Sequence, residues 1–460
     1  MSDPNAGYDV VVLGGGSGGY ACALRAAELD LSVVLIERGK VGGTCLHRGC
    51  IPTKALLHAG EVADATREAE QFGVQATFHG IDMKAVNAYK DGVVARLYKG
   101  LQGLIKSRTI VYVEGEGRLV APNTVEVNGE RYVGRNIVLA TGSYSKSLPG
   151  LDIDGERVIT SEHALTLDHV PTSAVILGGG VIGCEFASAW KSFGVDVTIV
   201  EALPRLIAAE DEQSSKALER AFRKRGIAFK VGKPFEQVER TDSGVKVSIA
   251  GGETIDAELL LVAVGRGPST ADLGYAEQGV RMDRGFVLAD DHLRTNVHGV
   301  FAVGDIVPGL QLAHRGFQQG IFVAEEIAGQ NPPVIDEEGI PRVTYTDPEV
   351  ASMGLTEAKA RERYGDAVET FMYDLGGNGK SQILKTQGFV KLVRAPAGPV
   401  VGLHLVGSRV SELIGEAQLI YNWEAFPADV AQLIHAHPTQ SEALGEAHLA
   451  LAGKPLHVHG

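Results

Sequence analysis

Two stretches of this chain repeat one pattern at one spacing, and that repeat constrains the fold more than any other feature. Residues 8–19 read YDVVVLGGGSGG and residues 173–183 read SAVILGGGVIG. Each ends a β-branched apolar run in G-x-G-x-x-G: Gly14, Gly16 and Gly19, then Gly178, Gly180 and Gly183. Ala-rich, helix-like stretches follow (YACALRAAELD and CEFASAWKSFG), and each leads to a second strand pattern ending in an acid, Glu37 and Glu201. All three glycines and the acid recur at an offset of 164 residues. In such a unit the first glycine permits the tight strand-to-helix turn and the second admits a pyrophosphate to the backbone. The third lets helix and strand pack closely, and the acid accepts a ribose hydroxyl. A single such motif is weak evidence. Two with matching strand, helix, strand and acid imply two dinucleotide sites.

At the second site a carboxylate would repel a 2′-phosphate, so Glu201 favours NAD over NADP. Arg205, four residues on, is a counter-signal. The chain holds 58 glycines among 460 residues, where average usage would give roughly 32. That excess fits many turns and close backbone approaches. A net charge of −14 argues against nucleic acid as a partner, which would need clustered Lys and Arg. It does not argue against dinucleotides, which helix N-termini can hold.

The length suggests several domains. Residues 41–110 read as mainly helical, 111–140 and 227–264 as alternating short strands, and 299–305 as a buried strand ending on Asp305. Near residue 340 the pattern changes, after the Pro pair in GQNPPVID. The expected class is α/β, with two Rossmann-like dinucleotide-binding domains and an α+β C-terminal dimerisation domain. The expected division is 1–148 (FAD-binding, first part), 149–270 (NAD-binding), 271–338 (return to the FAD-binding and central part) and 339–460 (interface). No signal peptide and no bilayer-length apolar run are visible, so the chain is read as cytoplasmic, with no membrane contact.

Only four cysteines occur, too few for a secreted disulfide framework. Cys45 and Cys50 lie in GGTCLHRGCIPTKAL, just past the first acid strand and ahead of a helical segment. A thiolate near a helix N-terminus is stabilised as nucleophile or electron donor. Buried structural cysteines and a zinc site compete with this reading, but His47 alone does not complete a zinc site and no metal is expected. Cys22 and Cys184, in matching helical stretches after the glycine turns, read as structural. Near the C-terminus, His437 precedes Pro438 and Thr439, with Glu442 five residues on. Imidazole can take a thiol proton near neutral pH, and a carboxylate can fix its tautomer. From pattern alone such a pair is usually surface decoration. His457 and His459 read as a solvated tail.

The segment GGTCLHRGCIPTK resembles the active-site segment of the glutathione-reductase family of flavoproteins, within it the dihydrolipoamide dehydrogenase branch. ATGS at 140–143, AVGRGP at 263–268, FAVGDI at 301–306, LAHRGFQQG at 312–320, YTDPEVASMGLTE at 345–357 and HAHPTQSE at 435–442 resemble it too, in the family's order and across essentially the whole chain. The resemblance implies FAD and NAD as cofactors and a redox disulfide between Cys45, the interchange thiol, and Cys50, beside the flavin. It implies His437 and Glu442 as base and orienting acid, with His435 a poorer fit, acting across the interface of a homodimer. Lys54 would lie near the flavin and pair with Glu185 beside the NAD site. Glu37, Gly117, Thr141, Gly142, Ser143, Asp305 and the run Gln311, Leu312, Ala313, His314 match FAD contacts. Glu201, Val238 and Gly265 match NAD contacts.

The implied activity is oxidation of dihydrolipoyl groups by NAD⁺, with the lipoyl-bearing acyltransferase of a 2-oxo acid dehydrogenase complex as partner. One departure stands out: the family usually has Leu-Asn-Val-Gly between the cysteines, and here it is Leu46, His47, Arg48, Gly49. The added imidazole and guanidinium either shift the thiolate pKa or face solvent. Two alternatives stay open. One is a sister NADPH-dependent reductase of glutathione or mycothione type; the mercuric type would need C-terminal cysteines, and none follow Cys184. The other is a non-catalytic assembly component, which the retained cysteines, His437 and Glu442 speak against.

Overall fold

The computed structural model of the chain describes residues 7–458. Its first sheet runs, strand by strand, Val111–Glu114, Val33–Glu37, Tyr8–Leu13, Glu130–Leu139, Thr124–Val127 and Gly117–Ala121. Much later in the chain Val300–Ala302 returns to lie parallel to Glu130–Leu139, with Phe301 opposite Val138. The second sheet is wholly parallel: Ala228–Lys230, Asp196–Val200, Ser173–Leu177, Leu259–Val262 and Val158–Thr160. In both sheets the strand before the glycine turn sits centrally, flanked by the strand that ends in the acid.

Val10, Val11 and Val12 are fully buried, as are Val175 and Ile176, because helices or further strands cover both faces of these sheets. Burial of each such side chain stabilises by about 1.5–3 kcal/mol, and β-branched residues suit the pleated backbone. A three-stranded antiparallel sheet (Phe235–Thr241, Gly244–Ile249, Glu253–Ala257) packs on the second parallel sheet. A five-stranded antiparallel sheet, Arg342–Thr344, Glu349–Gly354, Val400–Gly407, Phe389–Arg394 and Glu369–Asp374 in spatial order, carries the C-terminal region with the helices Val410–Asn422 and Glu442–Leu451. Among the described residues no helix is long and apolar enough to cross a membrane.

One strand is shorter than its sequence suggests. The run expected to end on Asp305 stops at Ala302, and Gly304, at φ +76°, starts a helical turn over Gly304–Ile306. Asp305 therefore lies on a turn beyond the strand end. His457 is exposed and bonded to Glu446, while His459 lies outside the described residues.

Candidate active site

The glycine turns come first, since they place everything else. A Cβ at Gly14 would lie 2.2 Å from Ala140 O, and one at Gly178 would lie 2.3 Å from Ala263 O. At Gly19 and Gly183 it would fall 1.8 Å from Gly14 O and 1.9 Å from Gly178 O. No side chain fits at these four positions. Gly16 and Gly180 differ: a Cβ there would meet nothing within 4 Å. They cap the helices Ser17–Glu28 and Val181–Phe193, and neither N-terminus has a side-chain cap. Each turn thus presents unsatisfied N–H groups to open space, which is what a pyrophosphate requires. On this chemistry both sites fit a dinucleotide.

The acids are held alike. Glu37 accepts from Gly15 N at 2.6 Å and Gly39 N at 2.8 Å. Glu201 accepts from Gly179 N at 2.6 Å and Leu203 N at 2.7 Å. These bonds fix each carboxylate beside its turn and leave lone pairs for a ribose hydroxyl. Arg205 is spent elsewhere, on Ala208 O, Glu210 O and Ser215 Oγ, so the counter-signal for a 2′-phosphate is removed. The Glu201 backbone donates to Lys230 O and accepts from the Lys233 N–H, next to Gly232, which is bonded to Leu203 O. Val238 lies further along, paired with Val247 in the antiparallel sheet. Gly265, at φ +101°, follows the strand beside Gly178 and leaves open space where a side chain would stand.

The cysteine segment leaves the first site almost at once. A Cβ on Gly43, at φ +58°, would come 2.8 Å from Gly16 Cα, so the chain passes against the first turn before entering the short helix Gly43–Arg48. Cys45 sits inside that helix. Gly49 breaks it, and Cys50 opens the next, Cys50–Arg67, with Pro52 in the first turn where no N–H is needed. Both thiols are free and half-buried, and the Cys45 thiol hydrogen-bonds the Cys50 sulfur.

That bond, assisted by the Lys54 charge against opposing burial, lowers the Cys50 thiol to about 7. Donating the same bond, burial and the Cys50 charge drive Cys45 far above the usual thiol range. Cys22 and Cys184 are fully buried, and burial pushes Cys22 up to about 12. His47 bonds Val41 O at 2.9 Å and meets the Tyr98 ring, while Arg48 is largely exposed and pairs with Glu162 at 3.4 Å. The two residues that depart from the family pattern spend their bonds away from the sulfurs.

Lys54 lies one turn beyond Cys50. Its ammonium contacts both Glu185 oxygens, at 2.9 and 2.8 Å, and Glu185 is buried on the helix of the second glycine turn. Burial works against the Lys54 charge, yet the Glu185 carboxylate outweighs it and raises the lysine above its ordinary pKa. Ser143 donates to Asp305 at 2.5 Å and Thr141 to Ser269 O at 2.7 Å, while Gly142, at φ +74°, faces open space. Gln311 reaches Asp305 O, Leu312 caps the helix Ala313–Ile327, and Ala313 opens it. His314 turns away to Pro341 O. Gly117 is tight against Leu13, where a Cβ would come 2.6 Å from its methyl.

Sequence reading passed over three residues here. Arg266 bonds both Ser143 Oγ and Ser143 O, Tyr275 meets the Thr141 hydroxyl, and the ring of Tyr345 lies under the Lys54 ammonium. Arg266 and Tyr345 left a signal, as members of the segments AVGRGP and YTDPEVASMGLTE, and Tyr275 left none.

At the C-terminus, His437 Nδ1 lies 2.9 Å from Glu442 Oε1. Burial opposes the charge on Glu442, but the Thr439 N–H and His437 hold its carboxyl below the usual range. The His437 side chain is 78% exposed, and among the described residues its Nε2 makes no hydrogen bond. His435 is instead half-buried against Glu416 at 2.7 Å, in space that Gly445 leaves for its ring.

Comparisons with known proteins agree with this arrangement. The pyridine nucleotide-disulphide oxidoreductase profile matches residues 8–320, and the dimerisation-domain profile of the same family matches 340–448. The chain is 39% identical to a dihydrolipoyl dehydrogenase of Bacillus subtilis, covering 98% of this chain and 99% of that one. It is 38% identical to the mitochondrial dihydrolipoyl dehydrogenase of Pisum sativum, covering 99% and 93%. LpdA from Mycobacterium tuberculosis superposes with a TM-score of 0.89 at 27% identity, covering 96% and 99%. With paired glycine turns, paired acids and adjacent thiols on one scaffold, the chain belongs to the pyridine nucleotide-disulphide oxidoreductase family.

Proposed function

We propose that this chain is a dihydrolipoyl dehydrogenase that oxidises dihydrolipoyl groups at a Cys45–Cys50 disulfide and passes the electrons to NAD⁺. The observation that carries the reading is the thiol pair at the mouth of Cys50–Arg67, tied through Lys54 and Glu185 to the second nucleotide helix. Full-length similarity to dihydrolipoyl dehydrogenases supports it.

His437, its Nδ1–H given to Glu442, keeps a lone pair on Nε2 and takes the proton of the first substrate thiol. That sulfur attacks Cys45 of the disulfide, and Cys50 leaves as a thiolate stabilised by the Lys54 charge. The second substrate thiol then attacks the mixed disulfide, closes the lipoyl ring and releases Cys45 as a thiol. Two electrons and two protons have moved from substrate to protein. When bound, FAD and NAD supply the acceptor chemistry that returns the pair to the disulfide. Glu37 and the Gly14–Gly19 turn would hold the first, Glu201 and the Gly178–Gly183 turn the second.

The exposure of His437 fits a base that completes a partner's site, so the active form is a homodimer built on the 340–448 region. Its partner would be the lipoyl-bearing acyltransferase of a 2-oxo acid dehydrogenase complex, in the cytoplasm. A direct test compares turnover of dihydrolipoamide plus NAD⁺ with turnover of small disulfides plus NADPH. Turnover with the second pair alone would move the chain to the reductase branch. Cys50→Ser is expected to abolish lipoamide turnover while flavin stays bound, and full activity in that variant would remove the cysteine assignment.

A further inference from the structure

We propose that Tyr345 is a positioning residue for the Cys50 thiolate, acting through Lys54: its ring face and its backbone N–H together hold the Lys54–Glu185 pair beside the redox sulfurs. The Lys54 ammonium lies 4.5 Å from the centre of the Tyr345 ring, with the Glu185 carboxylate also in contact at 2.8 Å. The Tyr345 N–H donates to Glu185 Oε1 at 3.0 Å. One residue of the C-terminal region therefore touches both members of the pair, the cation through its ring and the anion through its backbone.

Lys54 needs that wall. An ammonium on a flexible four-carbon stem has several rotamers open to it unless something blocks them. An aromatic face blocks them while attracting the charge. The phenol oxygen makes no hydrogen bond among the described residues, so the ring does the holding. Lys54 follows Cys50 by four residues on one helix, which puts the two on the same face. The charged groups around Cys50 are Cys45 on the preceding turn, Lys54 on its own helix, Glu185 on the second nucleotide helix and Arg266 beyond the strand Leu259–Val262. Of these, Tyr345 contacts Lys54 and Glu185. The competing reading is that Tyr345 merely fills space, and a coupling measurement separates the two.

The test uses the FAD-loaded protein reduced with dithiothreitol. Iodoacetamide alkylation is followed from about pH 5 to about pH 9 and quantified at Cys50 by peptide mass spectrometry. In the unmodified protein alkylation should rise with a midpoint below the ordinary thiol range. Tyr345→Phe should titrate the same way, because the ring remains. Tyr345→Leu and Tyr345→Met should shift the midpoint upward by roughly half a unit to one unit. Lys54→Met should shift it further, and adding Tyr345→Leu to Lys54→Met should add nothing.

The proposal is overturned if the folded Leu or Met variant titrates like the unmodified protein, if Phe shifts as Leu does, or if the Leu shift survives in Lys54→Met. Either non-aromatic variant suffices should the other fail to fold. The inference rests on Cys50 being the stabilised thiolate of the proposed reaction. Retained turnover in Cys50→Ser would remove that reading, whereas the titration is read on Cys50 itself and fails separately.

Discussion

The two glycine turns are near-copies in backbone, and among the buried positions where their helices differ one changes charge. Ala21 in the first helix and Glu185 in the second stand at the same 164-residue offset. Around Ala21 the neighbour is the helix Ala313–Ile327, approaching so closely that a Cβ on Gly320 would come 2.2 Å from Gly18 O and 3.1 Å from the Ala21 methyl. Around Glu185 the neighbour is the helix Cys50–Arg67, with Lys54 facing the carboxylate and Gly60 within reach of Ser192. The motif therefore specifies a place for a dinucleotide, while the helix packed against it decides what else the site does. In the first unit that is close packing; in the second it is a charge link to the helix that carries Cys50.

Steric equivalence of the turns makes the strongest prediction. Gly19→Ala and Gly183→Ala each force a methyl into a backbone oxygen, and both should lose about 3 kcal/mol or more of stability in denaturant melts. Equal folding by either variant would mean that the turns are looser than they look. Ala21→Glu tests the divergence: a carboxylate there has no Lys54 and should cost about 3 kcal/mol as an unpaired buried charge. A melt within error of the parent would show that the position does not discriminate.

Gly16→Val and Gly180→Val should hardly move the melting temperature, since the protein offers no clash. The first should purify without flavin colour; the second should keep the colour and lose NAD⁺ binding by calorimetry. Loss of the same cofactor in both would break the assignment of one nucleotide to each turn. The smallest effect is expected at the acids. Glu201→Gln should weaken NAD⁺ by roughly 5- to 10-fold, as one charge-assisted hydrogen bond is reduced to a neutral one, and a gain in NADP⁺ affinity should stay small because Arg205 is committed to its own loop.

Much of this site could be read along the chain because its demands are local. A strand that must turn sharply into a helix needs glycine at set offsets, and an acid at the next strand end follows within one βαβ unit. The cysteines are five residues apart, and His437 and Glu442 are too, so their contacts are written in neighbouring letters. The strand expected to run to Asp305 shows the limit of that reading. VFAVGD is apolar enough to continue, but Gly304 at positive φ turns the chain, and one sequence does not say which glycine turns. Arg205 looked like a free cation near a phosphate and is instead consumed by two carbonyls of its own loop and the Ser215 hydroxyl on the helix that follows.

By itself the sequence determined the duplicated glycine-turn scaffold and the acid at each second strand, since each is a steric or hydrogen-bonding requirement met within a few residues; Cys45 with Cys50 and His437 with Glu442 were singled out through the family resemblance, each pair close along the chain. The family resemblance anticipated that Lys54 meets Glu185, across 131 residues; tertiary structure alone decided that Tyr345 reaches the same carboxylate across 160 and that the guanidinium of Arg266 closes on Ser143. The reason is desolvation: a buried charge needs an opposite charge or an aromatic face within a few ångströms, and no spacing along the chain records which distant element will supply it.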